Sequence, residues 1–247
     1  MALRCPREFY YRYVDKVAPP ETMPEMRIGK ARHTALEHAI QGTPPEQALA
    51  DAKEALTDEE KQRADTIGVG VPPFLERLQQ FENNHRVGKR LVEYTLAVRE
   101  DFTSTQFYSN DAFYRGILDF GYIYDDTNVA ILDHKTGERY NWHTISDQLE
   151  GYAALAAASF RGVRRYWLGV HWVAHSDVEW RKPVSHGHIT QSFFQRVMDN
   201  IEAAALAVDD GPRPNPAAWC GRCSYRSICP TAREARYERV DDEFDID

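Results

Sequence analysis

The most informative stretch of this sequence is residues 113–137, FYRGILDFGYIYDDTNVAILDHKTG. Two runs rich in aromatic and β-branched residues are separated by Asp125–Asn128, a polar segment that is typical of a turn. The runs predict two strands, Phe113–Tyr124 and Val129–Lys135. Because the turn is short, the two strands are expected to pair antiparallel as a hairpin.

The predicted hairpin brings together side chains that could support chemistry. Residues two apart in a strand face the same side, so Asp133 and Lys135 project together, and Asp119 on the partner strand can reach the same place. Two carboxylates and a lysine can hold a hard cation such as Mg²⁺ or Mn²⁺ and place a water beside it. The alternative for an isolated Asp-x-Lys is a capped strand end with a solvated lysine.

The segments around the hairpin show alternating helical and strand patterns. The helices predicted before it are Pro24–Gln41, Pro45–Leu56, one starting at Thr57, and Pro73–His85. The other predicted elements are strand Leu91–Glu100, helix Ile145–Phe160, strand Arg164–Val173, a short strand near Val178–Val184, and helix Thr190–Val208. This order predicts a mixed α/β fold in which helices flank the sheet.

Composition and charge limit the class of protein. The chain has 247 residues, of which 43% are hydrophobic, and a net charge of −8. This composition excludes intrinsic disorder. The excess of acidic residues makes it less expected that the protein binds nucleic acid through a large basic surface. No apolar run reaches the roughly 20 residues needed to span a bilayer, and the first residues lack a secretory signal. The sequence therefore predicts a cytoplasmic protein without a membrane partner.

Four cysteines form a second pattern. Cys5 precedes Pro6, and the other three lie in Cys220-x2-Cys223-x5-Cys229. A disulfide scaffold is not expected in an intracellular protein of this size. Four thiolates can close a tetrahedral zinc site or hold one iron–sulfur cluster, and both alternatives remain open.

Two further pairs have helical spacing. His33 and Glu37 are four residues apart, as are Gln148 and Tyr152, so each pair shares one helix face. A neutral imidazole can ligate Mn²⁺. Taken alone, His33 is also consistent with an ordinary half-buried histidine, Gln148 with a surface residue and Tyr152 with a core aromatic residue.

Taken in order, these motifs resemble the RecB-like branch of the PD-(D/E)XK nucleases. The matching segments are Gly29-x3-His33, Gly116-x2-Asp119, Asp133-x-Lys135-Thr136-Gly137 and Gln148-x3-Tyr152. The cysteine pattern is similar to that of members with an iron–sulfur staple, such as the AddB nuclease domain and the CRISPR-associated RecB-like exonucleases. The resemblance covers nearly the whole chain.

The resemblance implies a role for each of these residues. His33, Asp119, Asp133 and the backbone carbonyl of His134 would bind Mg²⁺ or Mn²⁺, and Lys135 would activate the attacking water. Gln148 and Tyr152 would position DNA, and Glu93 is a tentative accessory residue. Cys5, Cys220, Cys223 and Cys229 would hold a [4Fe-4S] cluster, for which zinc is the alternative.

The resemblance also implies a division of the chain as one nuclease domain. Its core is a restriction-endonuclease-like mixed sheet with an N-terminal helical insertion and a C-terminal cysteine cluster. The expected parts are an iron–sulfur staple (1–23 and 209–232), a helical part (24–90), a catalytic α/β core (91–208) and an acidic tail (233–247).

The function implied is a metal-dependent DNA exonuclease that acts on single strands or ends, in recombination, repair or CRISPR adaptation. The alternatives are an endonuclease or nickase with the same centre, and a non-catalytic DNA-binding subunit. No phosphate loop for a motor is present, so a helicase or integrase-type partner would be a separate polypeptide. Candidate DNA contacts are Arg161, Arg164, Arg165, Arg181, Lys182, Arg222, Arg226, Tyr140 and Trp142.

Overall fold

A computed structural model describes most of the chain. The described residues are 5–19, 24–64, 70–137, 139, 143–211, 213–215, 220 and 223–234. The chain divides into two compact units, which we call the central unit (25–198) and the terminal unit (1–24 with 199–247). Within the described residues, no helix combines the length and the apolar character needed to cross a membrane.

The elements of the chain follow the order that the sequence predicts. The α-helices are α1 (Pro6–Phe9), α2 (Pro24–Ile40), α3 (Pro45–Lys53), α4 (Asp58–Arg63), α5 (Val71–Asn84), α6 (His143–Ser159), α7 (His186–His188), α8 (Phe194–Asp209) and α9 (Pro230–Glu234). The strands are β1 (Val87–Val98), β2 (Ser104–Thr105), β3 (Tyr114–Tyr124), β4 (Asn128–Lys135), β5 (Arg165–Trp172), β6 (Asp177–Trp180) and β7 (Val184–Ser185). Short π-helical turns cover Tyr10–Val14 and Ile189–Phe193, and a 3₁₀ turn covers Val173–His175.

One mixed sheet organises the central unit. Among the described residues it has seven strands in the order β2-β1-β3-β4-β5-β6, and β7 pairs with β5. The predicted hairpin is present as the antiparallel pair β3–β4. Strand β5 runs parallel to β4, with Asp133 opposite Val170 and Lys135 opposite Trp172. A parallel neighbour requires a crossover, and α6 supplies it. The predicted fold class, a mixed sheet flanked by helices, is confirmed.

An apolar layer formed by α2 and α5 covers one face of β3 and β4. Leu36, Phe74 and Leu78 of the helices pack against Phe120 and Leu132 of the strands. Each buried side chain of this size contributes roughly 1.5–3 kcal/mol relative to exposure. This layer fixes α2, and with it His33, against the sheet.

Helix α6 packs against the opposite face, where a glycine permits a close approach. A Cβ added at Gly116 would lie 2.6 Å from Leu155 Cδ1 and 3.2 Å from the Tyr152 ring. Gly116 therefore lets α6 approach β3 closely enough to direct Tyr152 and Gln148 toward the end of β4. This is a structural reason for glycine in the Gly116-x2-Asp119 motif.

The local sequence signals were accurate for the strongest elements and less so at the boundaries. Thr57 forms a capping box with Glu60 at the start of α4, as its sequence predicts. Strand β1 begins at Val87, four residues before the predicted start at Leu91. The short strand expected near Val178–Val184 is two strands, β6 and β7, which pair separately with β5. Proline at position 183 separates them, because proline cannot donate to a ladder.

The terminal unit joins the two ends of the chain by main-chain and tyrosine hydrogen bonds. Arg7 N donates to Arg213 O at 3.2 Å. The Tyr10 hydroxyl donates to Val208 O at 2.8 Å, and the buried Tyr225 hydroxyl donates to Val17 O at 3.0 Å. These bonds connect positions about 200 residues apart in the sequence, so the N-terminal segment is held by C-terminal residues.

Candidate active site

The site begins where the β3–β4 ladder ends. The last paired residues are Phe120 and Leu132, and beyond them the Asp119 carboxylate accepts a hydrogen bond from His134 N at 2.8 Å. A side chain thus replaces the main-chain partner of this amide. The bond fixes the Asp119 carboxylate beside the backbone of the Asp133–Lys135 segment.

Strand β1 is irregular at the same level of the sheet. Glu93 has a φ of 43°, a left-handed conformation that is unusual for a residue other than glycine in a strand. Val92 packs with the α2/α5 layer, whereas the Tyr94 ring contacts Phe160 after α6, so the alternation of faces is broken at Glu93. Such a conformation costs on the order of 1–3 kcal/mol and is found preferentially at functional sites.

This irregularity places Glu93 beside two predicted ligands. One donor atom each of His33, Glu93 and Asp119 lies within 4.8 Å of the others. His33 Nδ1 is 3.7 Å from Asp119 Oδ2. Three elements, α2, β1 and β3, therefore converge on one point with an imidazole and two carboxylates. The structure brings His33 and Asp119 together and adds the tentative residue Glu93 to them.

A hydrogen-bonded row of side chains lies next to this cluster. Asp133, whose side chain is 1% exposed, has its Oδ2 2.7 Å from Lys135 Nζ. Lys135 Nζ donates to Gln148 Oε1 at 3.0 Å, and Gln148 Nε2 donates to the Tyr152 hydroxyl at 2.8 Å. The four residues connect the end of β4 to one face of α6, as the spacing of each pair predicts.

Most of these residues, though not Glu93 or Tyr152, line an open cleft with a volume of about 260 Å³. Its walls are formed by His33, Asp119, Asp133, His134, Lys135, Thr136, Gly137 and Gln148. The lining is almost entirely polar or charged. Such a cleft suits a charged, hydrated substrate rather than an apolar ligand.

The acids of the cleft hold their protons more tightly than acids in water do. Burial, together with the charges of Asp119 and Glu37, raises the pKa of Glu93 to about 7. Burial raises the pKa of Asp119, and burial together with the charge of Asp119 raises the pKa of Asp133 to about 6, although Lys135 opposes the shift. These carboxyl groups are therefore buried with only part of their charge compensated. Carboxylate oxygens and an imidazole that converge on one point fit a divalent cation such as Mg²⁺ or Mn²⁺.

A divalent cation is expected to stabilise the protein in a pH-dependent way. Because the folded pKa values of Glu93 and Asp133 lie above the unfolded values near 4, these groups reduce the free energy of unfolding as pH rises from about 4 to about 7. A bound cation offsets this loss. We expect Mn²⁺ to raise the melting temperature more at pH 8 than at pH 5.5, as measured by differential scanning calorimetry.

The matched variant for this measurement is Glu93→Gln, which removes one acid of the cluster and keeps the side-chain size. It should shrink the Mn²⁺-induced rise at pH 8. Equal rises at both pH values in the wild type would contradict a cation site built from these acids.

Helix α2 is anchored to the end of β4 by contacts that the sequence did not single out. The Arg32 guanidinium donates to the Thr136 carbonyl. A Cβ added at Gly29 would lie 3.2 Å from Thr136 Oγ1, so glycine in Gly29-x3-His33 allows this approach. Both contacts set the position of His33. The only sequence feature that could have identified Arg32 as an anchoring residue is its position next to His33.

Behind the catalytic strand lies a buried pair of histidines. His134 and His171 are opposite each other on β4 and β5, with their Nδ1 atoms 3.0 Å apart. The His171 ring stacks on Phe74 at a centroid distance of 4.2 Å. Burial lowers the pKa of His134 well below its usual value and that of His171 to about 3, so both rings are neutral. Sequence analysis named His134 only for its backbone carbonyl and missed His171.

The four cysteines meet in the terminal unit. Cys5, Cys220, Cys223 and Cys229 are free thiols, and all four line one pocket. Burial raises the pKa of Cys223, and the charges of nearby Glu8, Cys5 and Cys220 raise it further. Four thiols facing a common space are a donor set that fits an iron–sulfur cluster or zinc.

Other residues predicted to contact DNA lie elsewhere or outside the described chain. Arg165 pairs with Asn128, at the opposite end of β4 from Lys135, and Arg164 is next to it. Exposed side chains are also found at Arg161, Arg181, Lys182 and Arg226. Tyr140, Trp142, Arg222 and residues 235–247 of the predicted acidic tail lie outside the described residues.

Comparison with known families agrees with the fold. The family model described as the PD-(D/E)XK nuclease superfamily matches residues 2–230. The chain therefore belongs to the PD-(D/E)XK nuclease superfamily. Members are nucleases that use divalent metals, so metal-dependent nuclease chemistry is the activity that family membership indicates.

Two further comparisons add no detail. No curated protein matches the chain at a significant level. A solved structure described as "Crystal structure of SSO0001" is similar over 91% of this chain and 94% of that chain, with 13% sequence identity and a TM-score of 0.35. A similarity of this degree carries no argument about the site.

Proposed function

We propose that the protein is a metal-dependent DNA exonuclease of the RecB-like type that acts on single strands or DNA ends. The observation that carries this proposal is the cluster of His33, Glu93 and Asp119, two of which, His33 and Asp119, line one polar cleft together with Asp133 and Lys135. Phosphodiester hydrolysis needs a strong nucleophile at neutral pH and neutralisation of charge on the phosphate. A divalent cation held by these acids supplies both, as a Lewis acid and by lowering the pKa of water.

The residues of the chain have separate roles in this proposal. His33, Glu93, Asp119 and Asp133, with the His134 carbonyl, hold the cation. Lys135 contacts Asp133 and Gln148. These contacts hold its ammonium in the cleft in one side-chain conformation. There it orients the attacking water and stabilises the charge that develops on the phosphate. The raised pKa of Asp133 means that cation binding displaces a proton below about pH 6.

Gln148 and Tyr152 position the DNA strand next to the cation. Their mutual hydrogen bond and the bond from Lys135 hold both side chains on the cleft side of α6. The Tyr152 ring is half-buried against Gly116, so it has a fixed orientation. Pre-set side chains of this kind reduce the entropy lost when substrate binds.

Digestion of labelled DNA distinguishes this function from the alternatives. With Mn²⁺, we expect single nucleotides or short products from linear single strands labelled at either end, and no cut in closed circular DNA. Cleavage of circles would favour an endonuclease or nickase with the same centre. DNA binding without cleavage of any substrate would favour a non-catalytic subunit.

We further propose that the four cysteines hold a [4Fe-4S] cluster. Two observations support this proposal. All four thiols line one pocket. Their spacing in the sequence also resembles that of family members with an iron–sulfur staple, and zinc is the alternative.

Removing one cysteine tests this assignment. Protein purified without oxygen should absorb broadly in the visible range, and Cys220→Ser should lose this absorption and most of its iron. Because the site links segments about 200 residues apart, we also expect a lower melting temperature. Ser227→Ala, in the same segment, is the control and should keep its iron. A colourless wild-type protein with one zinc per chain would contradict the cluster.

The biological setting is proposed on the resemblance alone. Recombination, repair or CRISPR adaptation would each require a partner, either a helicase or an integrase-type protein, on a separate polypeptide. Co-purification with such a partner from cells would support one setting over the others.

A further inference from the structure

A strip of the sheet beyond the metal cluster faces away from α6 and is exposed. Tyr114 and Gly116 face α6, and they alternate with Phe113, just before β3, and with Arg115 and Ile117 of β3. Phe113 is 38% exposed and Ile117 40% exposed. Thr95 of β1 pairs with Ile117 and is also exposed. We call Thr95, Phe113, Arg115 and Ile117 the outer strip.

The outer strip leads directly to the cation cluster. Asp119 lies two residues after Ile117 on β3, and Glu93 lies two residues before Thr95 on β1, where its left-handed backbone places it with Asp119 and His33. The apolar α2/α5 layer begins on the other side of these acids, at Val92 and Phe120. The proposed catalytic acids therefore lie at the boundary between the covered and the exposed parts of the sheet.

At its far end the strip meets a loop with an unusually exposed aromatic ring. Tyr108 is 90% exposed, and its ring contacts that of Phe107 at 5.1 Å. The loop is fixed by side-chain bonds: Arg115 donates to Ser109 O at 2.8 Å, and Asp111 accepts from Thr105 and Arg99 at 2.8 and 2.5 Å. The loop that carries Tyr108 is thus fixed by hydrogen bonds, while the ring itself is exposed and belongs to no core.

We propose that the outer strip binds the single-stranded DNA that enters the active site, with one base stacked on Tyr108 and a phosphate held by Arg115. This inference rests on the proposed nuclease function and names the route of its substrate. From Phe113 to Asp119 the strand advances about 20 Å, which is long enough for several nucleotides between the ring and the cation cluster.

The chemistry of the strip favours a single strand over a duplex. Aromatic and aliphatic side chains bind bases through their faces, which are accessible only when the strand is unpaired. Duplex binding depends mainly on several cations that contact phosphates. The strip offers one arginine, and the nearby Arg99 is already ion-paired with Asp111. Binding should therefore depend strongly on stacking and weakly on salt.

The test is binding of a fluorescent oligothymidine to the full-length chain in EDTA, which suppresses metal-dependent cleavage. Tyr108→Ala should weaken binding by about 5- to 150-fold, because one stacked base contributes roughly 1–3 kcal/mol. Tyr108→Phe keeps the ring and should bind within about twofold of the wild type. Arg115→Gln should reduce the slope of log K against log salt by about 0.7, the value for one phosphate of a single strand. Arg86→Gln, at the start of β1, is the control and should leave the slope unchanged.

The outcomes separate this inference from the proposed function. If the wild type cleaves DNA and Tyr108→Ala binds oligothymidine normally, the route is wrong while the nuclease assignment stands. If Tyr108→Ala weakens binding but the wild type cleaves nothing, the strip is supported as a binding surface and the nuclease assignment fails. Equal weakening in Tyr108→Ala and Tyr108→Phe would also overturn the stacking role.

Discussion

Replacing Asp133 by asparagine is expected to reduce metal-dependent DNA cleavage by at least about a thousandfold. Asp133→Asn keeps the size of a side chain that is almost fully buried beside Lys135 but removes the charge that we propose holds the cation. Cation chemistry lowers the barrier by several kcal/mol, and each 1.36 kcal/mol is a factor of ten in rate. The measurement is the single-turnover rate on end-labelled single-stranded DNA at saturating Mn²⁺.

The control for this variant lies on the same hairpin. Asp126→Asn changes an exposed acid in the β3–β4 turn, where a φ of 60° is readily adopted by asparagine. Its rate should equal that of the wild type. Asp133→Asn should also lose the Mn²⁺-induced rise in melting temperature at pH 8, which would show that the defect is in cation binding. Cleavage by Asp133→Asn at the wild-type rate would remove Asp133 from the catalytic centre.

Replacing Lys135 by methionine should lower the cleavage rate by about 10²- to 10³-fold, the usual effect of removing one group that stabilises charge in a transition state. Lys135→Met keeps the length of the side chain and removes its ammonium. Because Lys135 opposes the rise in the pKa of Asp133, the variant should also need a higher pH to bind Mn²⁺. The maximum rate and the pH dependence of Mn²⁺ binding are both measured.

Another lysine with a defined partner provides the comparison. Lys89 on β1 donates to the Tyr94 hydroxyl at 2.7 Å and lies outside the cleft. Lys89→Met should cleave within about twofold of the wild type. If Lys135→Met lost substrate affinity but kept its maximum rate, Lys135 would be a DNA-binding residue instead.

The parts of the fold that were predictable are those determined by local sequence. The β3–β4 hairpin follows from two apolar runs and a polar turn, and its register brings Asp119 to the amide of His134. Helical spacing predicted that Gln148 and Tyr152 share a face, and the structure places Gln148 next to Lys135 and Tyr152 next to Gln148. Local spacing is reliable here because Gln148 and Tyr152 lie within one helix, and Asp119 and His134 within one hairpin.

The parts that were not predictable depend on contacts between distant segments. Glu93 reaches the cluster because its left-handed conformation breaks the alternation of β1, and no pattern in the sequence signals that change. His171 is recognisable only as a histidine in an otherwise apolar strand, and its partner His134 is 37 positions away. The outer strip was missed for the same reason, since exposure of one face depends on where α2 and α5 end.

The strain at Glu93 also has a physical interpretation within the proposed function. A regular β1 would direct this side chain by simple alternation, whereas the observed backbone places it with His33 and Asp119. Burial, and the charges of Asp119 and Glu37, raise its pKa, and a bound cation would offset this cost of ionising Glu93. The arrangement that lowers the free energy of unfolding of the metal-free protein is thus expected to increase its affinity for the ion.

The most direct test of the central claim is the position of Mn²⁺ in crystals of the wild-type protein, located by anomalous scattering. The claim is that His33, Glu93, Asp119 and Asp133 together hold the ion that catalyses phosphodiester hydrolysis. It predicts an anomalous peak at bonding distance from the imidazole of His33 and from the carboxylates, and no such peak in Asp119→Ala crystals. Crystals soaked in Mn²⁺ that show no peak in this cleft, or a peak bound only by other residues, would contradict it.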